Sequence, residues 1–314
     1  MALDVVLCSD RNSLRGLAVS VRSALEASST TLNIHVLGTG LTAQDKADLE
    51  ASWRHQACGK VVFGEVPLTK LARFRSTRYL KSKASYSRYF INDILPASSS
   101  RCLYLDADLV VFKDVAEAET CDMQGKGIGA VRDISIRSRG VWPELRQRLG
   151  LKSEHDYFNT GVLVIDMDAW RSNEVERRLV DVSIAKFDQL DSQDQDALNI
   201  LFEDDVKLLD VSWNFSQYER RDPVGDGIIH MLGRVKPWHA RYLRQNGDDA
   251  YLLKNVYGPF YAFLDRTAYA GWRPWNGLGL GPVIEDVLSN IPTRDMVVGK
   301  LRRFVNRRGA PEAA

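Results

Sequence analysis

The first 65 residues alternate between short apolar runs and amphipathic segments. The apolar runs predict buried strands at residues 3–8, 32–37 and 61–63. Between them, residues 14–26 and 42–54 carry apolar side chains at helical spacing, which predicts two amphipathic helices. Strands that alternate with helices in this way are typical of an α/β fold, in which helices cover a largely parallel sheet.

The same alternation continues through the middle of the chain. Further strands are predicted at residues 101–105, 129–131, 157–165, 206–209 and 228–230, and further helices at 85–95, 174–190 and 194–202. After about residue 270, tryptophan, proline and glycine lie close together, as they do in irregular connectors. We therefore predict one domain over residues 1–270 and a separate segment over residues 271–314.

Composition narrows the class of protein without identifying it. Of the 314 residues, 45% are hydrophobic and 26% are charged, which is a globular balance and excludes a disordered chain. The net charge of +1 gives no general attraction to nucleic acid, so no nucleic-acid partner is expected. The four cysteines form no C-x-x-C pair, and no apolar run approaches the roughly 20 residues that span a bilayer. We expect a cytoplasmic protein with reduced thiols.

Two aspartates directly follow the predicted strand at 101–105. Asp106 and Asp108 flank Ala107, and on an extended backbone residues two positions apart project to the same side. Two carboxylates placed in this way can hold one hard divalent cation, which prefers oxygen ligands. The carboxyl end of a strand is also where open α/β sheets bind their ligands. Solvated loop acids are the alternative, but apolar runs on both sides of the pair disfavour it.

A second set of candidate residues follows the predicted strand at 228–230. His230 could add a nitrogen ligand to the same cation, and mixed imidazole and carboxylate ligation suits Mn²⁺ better than Mg²⁺. Gly233 permits a bulky anion to approach the backbone, and Lys236 supplies a positive charge in a loop stiffened by Pro237. Together these residues describe a clamp for a diphosphate. Taken alone, a histidine such as His230 is more often an ordinary half-buried histidine, and the spacing of His, Gly and Lys before Pro-Trp is what favours the binding role.

Two further polar clusters lie beside predicted apolar elements. Asn159 and Thr160 open the strand at 157–165 and could hydrogen-bond sugar hydroxyls, although a turn into a core strand explains them equally well. Residues 192–196 (SQDQD) begin the helix at 194–202, where N-capping and the helix dipole account for part of the cluster. For both clusters, the sequence therefore leaves open whether the residues have a structural role or bind a ligand.

In their order along the chain, these motifs resemble glycosyltransferase family 8, the retaining nucleotide-sugar transferases of the GT-A fold. The matching segments are LCSDRN, SYSRYF, LYLDADLVV, YFNTGVLVID, DQDALN, WNF and HMLGRVKPWH, over roughly residues 3–240. The resemblance implies a Rossmann-like α/β fold with a mixed, mostly parallel central sheet flanked by helices. It also implies that residues 1–270 form a catalytic domain that transfers a hexose, glucose or galactose, from a UDP-sugar.

The resemblance also implies roles for individual residues. Uracil and ribose would be held by the turn after the first strand, through Cys8, Ser9, Asp10 and Asn12. Mn²⁺, with Mg²⁺ as the alternative, would bind Asp106, Asp108 and His230, and the diphosphate would also meet Ala107, Gly233 and Lys236. The sugar-binding candidates are Arg88, Asn159 and Thr160, and the catalytic candidates are Arg88, Asp133, Asp194 and Gln195. Cys8 stands where related enzymes often have alanine.

Retention at the anomeric carbon leaves two mechanisms open. Asp194 is chemically the better nucleophile for a double displacement, but Gln195 occupies the family position nearest the reactive centre. We therefore expect same-face attack, in which the departing phosphate accepts the proton of the acceptor. The expected acceptor is a cell-surface glycan or a lipopolysaccharide-type glycolipid. The alternatives are a glycogenin-like self-glucosylating primer, a non-catalytic sugar-nucleotide-binding module and a metal-dependent phosphohydrolase.

Residues 294–308 (RDMVVGKLRRFVNRR) combine an apolar stripe with basic residues over most of the remaining surface. This pattern predicts a basic amphipathic helix that lies on an anionic membrane surface. A helix that docks on the catalytic domain is the alternative. With the membrane anchor, the protein would lie peripherally on the inner face of the cytoplasmic membrane.

Overall fold

The computed structural model of the chain describes residues 2–75, 83–152, 156–221, 225–233, 236–239 and 249–274. Its strands are β1 Leu3–Asp10, β2 Leu32–Thr39, β3 Cys58–Glu65, β4 Arg101–Leu105, β5 Leu109–Val111, β6 Ile128–Arg132, β7 Phe158–Asp166, β8 Val206–Leu208, β9 Phe215–Ser216 and β10 Ile228–His230. Every predicted strand is present; β4 and β10 have the predicted bounds, and the ends of the others differ by up to three residues. The sequence pattern did not indicate β5, which lies in the apolar run after the D-x-D pair, or β9, which has two residues.

Helices connect most of these strands. The α-helices span Leu14–Ala27, Ala43–Ser52, Leu68–Ala72, Glu117–Thr120, Ile134–Ser138, Trp142–Leu149, Met167–Ser172, Val175–Ala185, Asp194–Leu201, Ala250–Leu252 and Gly258–Leu264. Short 3-10 helices span Arg11–Ser13, Ala84–Asp93, Phe187–Gln189, Val211–Trp213 and Gln217–Glu219, and Leu253–Tyr257 is a π-helix. The predicted helix at 85–95 is therefore a 3-10 helix, and the one at 174–190 breaks after Ala185. Among the described residues, no helix is both long enough and apolar enough to cross a membrane.

Seven strands form the central sheet, in the order β3-β2-β1-β4-β7-β6-β8. β7 runs antiparallel to β4 and β6, and the other neighbouring strands are parallel. This mixed, mostly parallel sheet flanked by helices confirms the predicted fold class. Because β7 is reversed, its amino end lies beside the carboxyl end of β4, where Leu105 pairs with Val162. Residues 159–161 therefore reach the edge at which Asp106 follows β4.

A smaller sheet, in the order β5-β10-β9, continues from this edge. β10 runs antiparallel to β5 and places His230 opposite Leu109. The first α-helix holds the other edge of β5, because the Ser20 hydroxyl donates to the Leu109 carbonyl and accepts from its N–H, at 3.0 Å each. The Ser23 hydroxyl accepts from the N–H of Val111 at 3.0 Å. These contacts fix β5, and with it the turn that carries the D-x-D pair.

Apolar side chains cover both faces of the central sheet. Along β1, Leu7 belongs to the cluster that contains Leu17 of the first helix, whereas its neighbour Val6 belongs to the cluster that contains Tyr89 and Phe158. Since both faces are buried, the central strands are nearly continuous apolar runs. The polar residues of these segments collect at the strand ends, which positions them for chemistry.

The chain after residue 249 packs on the smaller sheet as far as the structure describes it. Phe260 and Val256 lie in one buried cluster with Val110 of β5 and Phe215 of β9. The predicted amphipathic helix at 294–308, like residues 275–293 before it, lies outside the described residues. The division at residue 270 stays a prediction.

Candidate active site

Two carboxylates and one imidazole meet at the junction of the two sheets. Asp106 and Asp108 lie on the turn between β4 and β5, and His230 ends β10. One potential ligand atom from each residue lies within 4.8 Å of the others. His230 Nε2 is 3.1 Å from Asp108 Oδ1 and 3.8 Å from Asp106 Oδ2. The structure thus brings together the three predicted metal ligands, and their mixed donor set suits Mn²⁺.

Lys236 approaches this cluster from the loop after β10. Its Nζ forms an ion pair with Asp108 and donates to the Met231 carbonyl at 2.7 Å. Burial alone would raise the pKa of Asp108, but attraction to Lys236 and His230 holds that pKa well below its ordinary value. Gly233 is exposed in the same loop and has a φ of +101°, which side-chain-bearing residues rarely adopt. The predicted phosphate-binding residues therefore lie beside the predicted metal ligands.

Arg88 connects Asp106 to two other elements of the site. From the 3-10 helix before β4, its Nη2 donates to Asp106 Oδ1 at 2.9 Å and its Nη1 donates to the Thr160 carbonyl at 2.6 Å. Its Nε lies 2.9 Å from Asp194 Oδ2. The Tyr104 hydroxyl also donates to Asp106 Oδ1, at 2.8 Å. Asp106 Oδ1 therefore accepts two hydrogen bonds, while Oδ2 lies on the side of the His230 imidazole.

The adjacent residues Asp194 and Gln195 have different environments. Asp194 is 2% exposed, and burial raises the pKa of its carboxyl group. Gln195 is half-buried, and its Nε2 donates to Asp133 Oδ2 at 3.2 Å and to the Tyr157 hydroxyl at 3.3 Å. Its Oε1 accepts from the Thr160 N–H at 3.3 Å. Of the two, Gln195 is the side chain that solvent can reach.

Asn159 and Thr160 lie at the start of β7, beside the metal-ligand candidates. Both are buried, at 8% and 3% exposed. Asn159 Oδ1 accepts from the Gly161 N–H and from Asn214 Nδ2, each at 2.8 Å. The backbone of Thr160 contacts Arg88 and Gln195, as described above. The structure thus places both residues within the framework of the site, and their contact with a sugar stays a prediction.

The residues predicted to bind uracil and ribose from a turn instead end strand β1, as Cys8, Ser9 and Asp10 do, or lie in the 3-10 helix that follows it, as Asn12 does. Asp10 Oδ1 accepts from the Asn12 N–H at 2.9 Å, and the Ser9 hydroxyl donates to the Asp10 carbonyl at 3.0 Å. Cys8 is buried, which raises the pKa of its thiol to about 12 and keeps it neutral. Because β1 neighbours β4, these residues lie at the same edge of the sheet as Asp106. Nucleotide binding by these residues stays a prediction.

Three residues that were not assigned from the sequence also shape the site. Asn214 Oδ1 lies 3.1 Å from His230 Nδ1. A Cβ atom on Gly161 would lie 2.3 Å from His230 Cε1, so only glycine leaves room for the imidazole. A Cβ atom on Gly16 would lie 2.3 Å from the Ala107 carbonyl oxygen. Asn214 and Gly161 lie in the WNF and NTG segments, but their partners are far away in sequence and no local pattern identifies them.

Comparison with known proteins assigns the chain to a family. The model of glycosyl transferase family 8 matches residues 4–241. The lipopolysaccharide 1,3-galactosyltransferase of Salmonella typhimurium is 28% identical over 248 residues, which are 74% of this chain and 71% of that protein. General stress protein A of Bacillus subtilis is 24% identical over 302 residues, 88% of this chain and 96% of that protein. Glycosyltransferase GlyF of Streptococcus pneumoniae is 31% identical over 167 residues, but this chain spans just 38% of its length.

Solved structures agree with this assignment. The chain resembles the galactosyltransferase LgtC, solved in complex with donor and acceptor sugar analogues, with a TM-score of 0.72 and 25% identity over 84% of this chain and 96% of that one. The bifunctional glycosyltransferase WbbM shares the fold, with a TM-score of 0.67 at 18% identity, and the alignment covers 91% of this chain and 52% of that one. The family match includes every candidate residue from Cys8 to Lys236. The chain belongs to glycosyltransferase family 8 and has the GT-A fold of these transferases.

Proposed function

We propose that the protein is a Mn²⁺-dependent, retaining hexosyltransferase that uses UDP-glucose or UDP-galactose. The proposal depends on one observation, the convergence of Asp106, Asp108 and His230 beside Lys236 at the edge of the sheet. Family membership supports a nucleotide-sugar donor and a glycan acceptor. A relative named as a lipopolysaccharide galactosyltransferase supports a lipopolysaccharide-type or other cell-surface glycan acceptor.

Different residues around the cluster would bind different parts of the nucleotide-sugar donor. Asp106, Asp108 and His230 would hold the cation, which supplies positive charge against the leaving diphosphate when it is bound. Lys236 would then exchange its ion pair with Asp108 for a phosphate oxygen. Gly233 permits the diphosphate to approach the loop closely, and residues 8–12 hold uracil and ribose.

The environments of Asp194 and Gln195 favour same-face attack. A nucleophilic Asp194 would have to leave its ion pair with Arg88 and its buried position. Gln195 instead has a half-buried amide, held by Asp133 and Thr160, which would lie along the donor sugar. In this reaction the bond from the anomeric carbon to the phosphate oxygen breaks, the acceptor oxygen bonds to the same face, and its proton passes to the departing phosphate.

A panel of UDP-sugars tests the donor and the metal together. Purified protein with Mn²⁺ and no acceptor is expected to release UDP slowly from UDP-glucose or UDP-galactose, and Asp106→Asn and Asp108→Asn are expected to abolish this release. Equal release by wild type and both variants would rule out the assigned site. Intact mass after incubation with UDP-glucose separates transfer to another molecule from self-glucosylation, since only the latter adds hexoses to the chain.

We also propose that the basic segment at 294–308 attaches the protein to the inner face of the cytoplasmic membrane. Its apolar stripe and basic residues fit an anionic lipid surface. The full chain should sediment with vesicles that contain anionic lipid and should remain in solution with neutral vesicles. A chain ending at Thr293 should lose this difference. Equal sedimentation of both chains would remove the proposal without affecting the donor site.

A further inference from the structure

On the side away from the carboxylates, the imidazole of His230 is held by a chain of hydrogen bonds. His230 Nδ1 lies 3.1 Å from Asn214 Oδ1, and Asn214 Nδ2 donates to Asn159 Oδ1 at 2.8 Å. The same Asn159 oxygen accepts from the backbone N–H of Gly161 at 2.8 Å. The two asparagines and the histidine are 5–8% exposed. Water therefore has little access to compete for these hydrogen bonds.

The direction of this chain is set by its last member. A backbone N–H can donate but not accept, so Gly161 requires the oxygen of the Asn159 amide. That oxygen then requires the NH₂ group of Asn214, which turns the Asn214 oxygen toward His230. An oxygen can accept but not donate, so His230 Nδ1 must carry the proton. Reversing either amide would leave like groups facing each other in a buried place, where neither group could form its hydrogen bond.

We propose that Asn214 and Asn159 are positioning residues that fix His230 as its Nδ1–H tautomer. A cation between the imidazole and the carboxylates would then meet the Nε2 lone pair, whereas without a cation Nε2 can donate a proton to Asp108 Oδ1, which lies 3.1 Å away. Neither asparagine needs to touch the metal or the substrate for this role. The inference rests on the proposed function for its purpose, a metal ligand, but the tautomer can be measured without any transfer reaction.

The proton on Nδ1 is tested by long-range ¹H–¹⁵N correlation on the metal-free full chain labelled with ¹⁵N-histidine. The chain has 5 histidines, and a His230→Gln variant identifies the signal. Wild type is expected to show a protonated Nδ1. Asn214→Leu should leave Nδ1 without its proton, whereas Asn159→Asp, which keeps an acceptor oxygen for both donors, should not. Asn159→Leu gives the same test if Asn214→Leu does not fold.

Metal affinity gives a second measurement. Calorimetric titration with Mn²⁺ is expected to show binding 10–100-fold weaker in Asn214→Leu than in wild type. Asn255→Leu is the matched control, because Asn255 is also a buried asparagine, and its Nδ2 donates to the Tyr251 carbonyl, away from the site. This control should leave both the tautomer and the affinity unchanged.

The inference is overturned if Nδ1 of wild type carries no proton, or if Asn214→Leu keeps the Nδ1 proton and the wild-type Mn²⁺ affinity. A wild-type chain that shows the Nδ1–H tautomer but binds no Mn²⁺ would overturn the proposed metal-dependent function, while supporting the hydrogen-bonded positioning of the imidazole. The two failures therefore give different results.

Discussion

Arg88 Nε lies 2.9 Å from Asp194 Oδ2, and this buried ion pair determines which of two neighbouring side chains can face a substrate. Successive residues of a helix point about 100° apart, so fixing Asp194 toward Arg88 turns Gln195 toward Asp133. The guanidinium also holds Asp106 Oδ1. One arginine thus orients both the cation site and the residue expected beside the anomeric carbon.

The Arg88–Asp194 pair should contribute strongly to stability. Asp194→Asn leaves the buried guanidinium with less compensating charge, so we expect the free energy of unfolding to fall by about 3 kcal/mol. The control is Asp181→Asn, which removes an exposed ion pair with Arg177 and should change stability by less than about 0.5 kcal/mol. Urea titration of both variants measures the difference, and equal effects would show that the buried pair has no special role.

Lys236 should have opposite effects on turnover and on metal affinity. Its ion pair with Asp108 competes with a cation for that carboxylate, so Lys236→Met should bind Mn²⁺ several-fold more tightly in the absence of nucleotide. The same variant loses a positive charge that acts on the departing phosphate, and kcat should fall about 10²-fold. Lys236→Arg, which keeps the charge, is the control. Weaker Mn²⁺ binding by Lys236→Met would contradict the competition.

We expect Gly161 to be required because it leaves room for the His230 imidazole, and not because strand β7 needs a glycine. In Gly161→Ala, the new Cβ would lie 2.3 Å from His230 Cε1 and 2.5 Å from Nδ1, so the ring must move. We expect Mn²⁺ affinity to fall at least about tenfold. Gly129→Ala on the adjacent strand β6 is the matched control, because its Cβ would meet the flexible end of Leu209 at 3.1 Å. Calorimetry on both variants decides between a local displacement and a general strand defect.

Asp4 should make stability fall in acid. Burial alone would raise its pKa, but hydrogen bonds with His35, Ser99 and Asn33 outweigh burial and lower the pKa below 3.8. A carboxyl group with a lowered folded-state pKa stabilises the fold above its unfolded pKa, and this contribution is lost as the pH falls through the folded value. Asp4→Asn should therefore be less stable than wild type by about 2 kcal/mol at pH 7.

The pH dependence identifies the source of this difference. The gap between wild type and Asp4→Asn should narrow as the pH falls from the unfolded pKa near 3.8 toward the lower folded pKa, because the carboxyl group of the unfolded chain binds its proton first. Urea titrations at each pH measure it, with the exposed Asp168→Asn as the control. A gap that stays constant across this range would mean that the charge of Asp4 is not the stabilising feature.

Much of the fold was predictable because both faces of the central sheet are buried. β1, β4 and β7 are long apolar runs, which the pattern identified. The direction of β7 was not predictable, because an apolar run has the same composition whichever way it is paired. That reversal is what brings residues 159–161 to the D-x-D turn.

The sequence predicted the site residues whose side chains would bind the cation or the diphosphate themselves. It did not predict residues that act by holding another side chain in place. Asp106, Asp108, His230 and Lys236 stand in motifs whose residue types suit a cation and a diphosphate, and the structure brings them together. Asn214 stands in the WNF motif, but that motif alone does not show what the asparagine contacts. Its significance depends on a contact with His230 that only the folded chain creates.

Metal binding should be visible as thermal stabilisation before any transfer is measured. A ligand that binds only the folded chain, at 100 times its Kd, stabilises it by about 2.7 kcal/mol, which corresponds to several degrees in Tm. Mn²⁺ should therefore raise the Tm of wild type, and excess chelator should reverse the shift. Asp108→Asn should show no shift, because one of three ligands is missing. Asp168→Asn, with its exposed carboxylate, should respond as wild type does. A shift of equal size in Asp108→Asn would place the bound Mn²⁺ at another site.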